Sequence, residues 1–95
     1  MALPLVHNTE AQFAALYWAR VRLRYQQGEK FRFARLIWQL ANWVQAGEIT
    51  SNQVRLSFNA AYNRSLNTAQ WNSFVTNTLL PIRDRYQAML DQGDL

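Results

Sequence analysis

The chain has 95 residues, 49% of them hydrophobic, with four Trp, four Tyr and five Phe. That describes one domain with a thin, aromatic-rich core, and it is too apolar for a disordered tail. The formal charge is +4, nine Arg and one Lys against six carboxylates, and there is no cysteine; a disulfide framework and thiolate chemistry are excluded, and no apolar run approaches the roughly 18 residues of a membrane span.

Met1 to Asn8 is a lead-in in which Pro4 disfavours helix at the residue before it. It carries no charged segment ahead of a long apolar run, so no signal peptide is expected, and the default location is the cytoplasm of a cell or host cell. Thr9 to Gln12 has the form of a capping box, which predicts a first helix over about 9–27, stopped by Gly28. The apolar residues of that helix form two arcs. Ala14, Tyr17, Trp18, Val21 and Tyr25 make one, and Leu16, Ala19 and Leu23 make the other, separated by Arg20 and Arg24 on one side and Arg22 on the other. A helix of this kind is expected to be covered on two sides, as the centre of a bundle or at a contact with another chain.

The second helix is predicted over about 29–46 and ends at Gly47. Phe33, Leu36, Ile37, Leu40, Ala41 and Val44 lie along one stripe of it, with Arg32, Arg35, Gln39, Asn42 and Gln45 opposite, and the stripe is expected in the core. Its opening resembles that of the first helix, Phe33-Ala-Arg-Leu-Ile-Trp38 against Phe13-Ala-Ala-Leu-Tyr-Trp18. Both then reach Gln, one further residue, Gly and Glu. Two copies are too few for a solenoid, and shared helix grammar is the simpler reading.

Thr50 to Gln53 forms another capping box and opens a third helix over about 51–63, with Val54, Phe58, Ala61 and Tyr62 on its apolar side. Residues 63–67 read as a loop, and Asn67 to Gln70 as a further cap. The last segment, about 68–91, contains Pro81, which ordinarily ends a helix. Yet Trp71, Val75, Leu79, Ile82, Tyr86 and Met89 stay on one stripe across it, and two unrelated helices have no reason to keep phase. One helix kinked at Pro81 is therefore favoured over a break with Pro81 opening a fifth helix. No segment alternates as a strand does. The expectation is an all-α fold, a single-domain bundle of four helices over residues 1–95.

Catalytic chemistry is thinly provided. His7 is the one histidine and stands in the lead-in without companions. Glu29 and Glu48 each follow a glycine where a helix is expected to begin, and there a carboxylate suits the positive end of the helix dipole. No carboxylates have metal-ligand spacing and no glycine-rich phosphate loop is present, so neither an enzyme nor a cofactor or metal site is expected. A helix-turn-helix reading of Ala41 to Asn63 fits poorly, because Trp43 falls where close helix packing wants a small residue.

The notable constellation is charge. Arg20, Arg22, Arg24, Lys30, Arg32 and Arg35 stand within sixteen positions, opposed only by Glu29, and a hairpin at Gly28 would gather them at one corner with Tyr25 and Phe31. A solvated face and arginine-favouring codon usage are the bland explanations. Trp38, off the main stripe, is a candidate anchor, or else is covered by another helix of the same chain. The candidate binding residues are accordingly Arg20, Arg24, Lys30, Arg32, Arg35 and Trp38. Two functions compete for them. One is a non-enzymatic helical module that engages another protein with an acidic surface, or a second copy of itself, as an adaptor, assembly factor or inhibitor. The other is a nucleic-acid-binding protein using the cluster for phosphate contacts.

Overall fold

The computed structural model describes residues 10–93, with side chains from Gln12 onward. Pro4, His7, Asp94 and Thr9 of the first expected capping box lie outside that range. Four helices follow one another: α1 (Glu10–Gln26), α2 (Lys30–Gln45), α3 (Ser51–Tyr62) and α4, an unbroken run of Thr68–Phe74, Val75–Leu79 and Leu80–Asp91 whose middle section is a π-helical turn. No strand occurs among the described residues, and no helix there is long and apolar enough to cross a membrane.

The repeated Gln-x-Gly-Glu endings build the same cap twice. Gly28 N–H donates to Tyr25 O and Glu29 N–H to Arg24 O, both at 3.1 Å. Gly47 N–H donates to Val44 O at 3.1 Å and Glu48 N–H to Trp43 O at 2.9 Å. These are the paired bonds of a Schellman motif, which needs a left-handed residue after the helix, and the glycines supply it with φ of 71° and 76°. Glu29 thereby becomes the N-cap of α2, but its side chain makes no cap bond. Glu48 lies two residues before the true cap of α3, Thr50, whose hydroxyl accepts from Gln53 N–H at 3.2 Å. The dipole role expected of Glu48 is thus corrected. Asn67 and Gln70 form a complete capping box at the start of α4.

Pro81 does not break the last helix, and the turn before it departs from α-geometry. Leu80 N–H donates to Val75 O, five residues back, so the turn before the proline is one residue wider than an α-turn. A proline ring inside a regular helix collides with the carbonyl four residues earlier, and widening the turn is a known way to absorb that conflict. All six residues of the stripe are at least half-covered: Trp71, Leu79 and Tyr86 are buried, and Val75, Ile82 and Met89 are half-buried.

α1 lies chiefly against α3, and α2 chiefly against the last section of α4. Trp18, almost fully buried, is the hub of the first contact. Its ring meets Phe58 at 5.0 Å, Tyr62 at 6.0 Å and Trp71 at 6.3 Å, and its N–H donates to Val54 O at 3.0 Å. A second aromatic group joins Phe13, Tyr17 and Trp43, with centroids 5.4 to 5.7 Å apart. On α2 the buried residues are Ile37, Leu40 and Trp43, while Phe33, Leu36, Ala41 and Val44 are half-buried. The core-facing arc of α2 is therefore turned toward Trp43 relative to the expected stripe, because α1 packs on that flank through Phe13 and Tyr17.

The two-sided cover expected of α1 is not found among the described residues. Ala14, Tyr17, Trp18 and Val21 are buried, but Leu16 and Leu23 remain 49% and 47% exposed and Tyr25 66% exposed. α1 is an outer helix with one covered arc.

Candidate functional site

The Schellman turn at Gly28 reverses the chain, and α2 runs back beside α1. Tyr17 pins the two together, its hydroxyl donating to Leu36 O at 2.7 Å. Between them lies a cleft of about 510 Å³ lined by Arg20 and Arg24 from α1, Arg32, Arg35 and Gln39 from α2, and a floor of Tyr17, Leu36 and Trp43. Four of the six residues singled out from the sequence are thus brought to one concavity.

Lys30 is not in it. It borders a separate hollow on the Tyr25 side of the corner, with Phe33 and Gly28. Trp38 is further away. Its ring packs on Tyr86 of α4 at 5.5 Å, and its N–H donates to Gln87 Oε1 at 2.8 Å. The alternative in which another helix of the same chain covers Trp38 is the arrangement observed, and the residue is half-buried. Arg22 is also spent elsewhere: it donates to Ala61 O at 2.7 Å and lies over the Tyr62 ring at 5.8 Å.

The charge inside the cleft is poorly compensated. Glu29 binds Arg24 at 2.7 Å and Arg32 at 3.5 Å. Arg20 and Arg35 have no ion-pair partner among the described residues. Both bear on the same atom, the Tyr17 hydroxyl. Burial pushes that group well above the ordinary tyrosine range, and the two guanidiniums pull it partly back. Tyr17 is consequently a proton donor at any physiological pH, and its proton is committed to Leu36 O. The N–H of Trp43, itself a floor residue, is buried with no hydrogen-bond partner among the described residues.

Like charges crowded on two facing helices repel one another, and exposed pairs offset little of that. Guanidiniums held at a concave, partly apolar surface suit planar anions, which they bind through two parallel hydrogen bonds.

The second apolar arc read from the sequence of α1 stands next to Arg20 of the cleft. Leu16 stands four residues before Arg20 and Leu23 three after it, spacings that put all three on one strip of helix surface. Both leucines are exposed. The two-arc pattern of α1 held that signal, but which arc the rest of the chain covers depends on where α3 docks. Gln39 and Trp43 of the lining escaped for a like reason: the covered flank of α2 is decided by α1. No protein-family model matches the chain, and neither a curated protein nor a solved structure similar to it was found.

Proposed function

We propose that this chain is a non-catalytic helical module that binds another protein, and that the α1–α2 cleft receives a segment of the partner in which carboxylates alternate with apolar side chains. One observation carries the reading: Leu16 and Leu23 lie exposed on either side of Arg20, beside a cleft lined by four arginines. An acidic amphipathic segment complements both halves of that surface, its carboxylates on Arg20 and Arg35 and its apolar side chains on the leucines. A nucleic acid would use the arginines and leave the leucines wet. A second copy of this chain is the weaker complement, since a chain of net charge +4 repels its own copy.

The test is capture of partners from the native source by the unaltered protein and by a variant with Arg20→Glu, Arg32→Glu and Arg35→Glu. All three side chains are exposed, so the variant keeps its helical signal. It is expected to lose an acidic protein partner that the unaltered chain retains. A folded variant that retains the same partner refutes the reading. Tighter capture of single-stranded oligonucleotide than of any protein, with a steep salt dependence, transfers the cleft to nucleic acid.

A further inference from the structure

On the opposite flank of α2 from the arginine cleft lies a cavity of about 310 Å³. Its walls are Ile37, Leu40 and Val44 of α2, Val54 of α3, and Trp71 and Leu79 of α4. The π-turn shapes it. With the Leu80 N–H bonded to Val75 O, Leu80 is brought above Val75, and both line the cavity together with Leu79. A regular helix would place Leu80 about 100° around the axis from Leu79 and away from Val75. π-turns inside α-helices are frequent at functional sites.

Among the described residues the polar lining is Gln45, Ser51 and Arg83. Gln45 and Ser51 are exposed, and Arg83 reaches over from α4 so that its Nη1 donates to Gln45 Oε1 at 3.2 Å. Among the described residues no carboxylate lines the cavity, and Arg83 is the one charged residue that does. Its other nitrogens, Nε and Nη2, bind the neighbouring Asp84 at 3.0 and 2.6 Å, and the Asp84 side chain is mostly exposed. An exposed pair of this sort is weak enough for another carboxylate to displace it.

We infer that this cavity is a binding site for a medium-chain aliphatic carboxylate, its chain among Leu40, Val54, Trp71 and Leu79 and its head group on Arg83 with Gln45 or Ser51. Protein interiors are close-packed, and an apolar cavity of about 150 Å³ is already large enough to hold benzene. Twice that volume accommodates roughly ten to twelve carbon atoms. The volume also meets the lower end of ordinary ligand pockets, about 300 Å³, and the composition, apolar walls with a few polar groups, is theirs. The site is independent of the arginine cleft and stands or falls separately from it.

The experiment is calorimetric titration of the whole chain with sodium decanoate and, separately, with 1-decanol. Decanoate is expected to bind one to one, and decanol at least tenfold more weakly. Arg83→Gln, which keeps a polar group beside Gln45, should weaken decanoate about tenfold, the loss expected for one charge-assisted contact, and leave decanol unchanged. Ala41→Phe fills the cavity from α2 and should abolish both, with helical content checked by circular dichroism. In the unaltered protein, decanoate should shift the methyl resonances of Val54, Leu79 and Leu80 and spare those of Leu16 and Leu23, a readout that requires no variant to fold. The inference is overturned by absence of decanoate binding below its micelle-forming range, by equal affinity for decanol, by indifference to Arg83→Gln, or by shifts confined to Leu16 and Leu23. Dimerisation that decanoate fails to reverse, with the same methyls shifted on dilution, would give the cavity to a second copy instead.

Discussion

Trp18 and Trp43 are both buried core tryptophans, yet among the described residues only Trp18 has a partner for its N–H. Trp18 donates to Val54 O at 3.0 Å, and Trp43 has no partner among the described residues. Replacing either by Phe removes the same volume. At Trp18 it also removes a hydrogen bond, whereas at Trp43 it removes an uncompensated donor, whose burial costs about 1–3 kcal/mol. Urea denaturation should therefore show Trp43→Phe to be milder than Trp18→Phe by about 1–2 kcal/mol; equal losses would mean that the Trp43 donor is satisfied in solution. Tyr17 gives a second residue-level test. The folded chain holds a proton that the unfolded chain releases near the ordinary tyrosine value of 10.0. Stability should accordingly be level below that pH and fall as pH rises beyond it. Tyr17→Phe is expected to make the alkaline fall shallower without removing it, because Tyr62 is shifted in the same direction by burial. The fate of these rings was only partly legible in the sequence. The arc containing Tyr17 and Trp18 was evident from spacing. The burial of Trp43 was not, since on α2 alone it falls beside the stripe and only the approach of Phe13 and Tyr17 covers it.

At the scale of elements, what could be read locally was read well. Asn67 with Gln70, Gly28 and Gly47 are short-range devices whose chemistry lies within a few residues, and each sits where its spacing put it. The helix expected to continue past Pro81 is continuous in the structure. How a helix passes a proline is decided by where strain is released, and no local pattern announces a π-turn in place of a simple bend. A π-turn is in effect one inserted residue. Deleting Asn77, which is exposed, in a Pro81→Ala background should restore a regular helix and keep Ile82, Tyr86 and Met89 facing α2. The melting temperature is expected to stay within about 8 °C of the Pro81→Ala parent, corresponding to about 1 kcal/mol in a domain of this size. Deleting Arg85 instead turns the end of the stripe by about 100° and should unfold that contact. If both deletions are equally damaging, the extra residue is not the origin of the wide turn.

For the molecule as a whole, the proposed partner surface joins two kinds of contact with different kinetic signatures. Long-range charge speeds encounter, while apolar contact slows escape. Once the partner is in hand, Arg20→Glu with Arg35→Glu should chiefly lower the association rate, and Leu16→Ser with Leu23→Ser should chiefly raise the dissociation rate. Stopped-flow measurement separates the two, and leucine substitutions that leave both rates unchanged would remove α1's exposed arc from the interface. The placement of Trp18 also bears on how this surface comes into being. Among the described residues, every ring that packs on Trp18 belongs to α3 or α4, and so does the carbonyl that receives its proton. A chain cut after Gly47 would carry all four arginines of the cleft and still present a bare tryptophan along the back of α1. The cationic surface is thus supported by residues that never touch it. During synthesis it can mature only after Trp71 has left the ribosome, and proteolysis within the 63–67 loop should silence binding at the far side of the molecule.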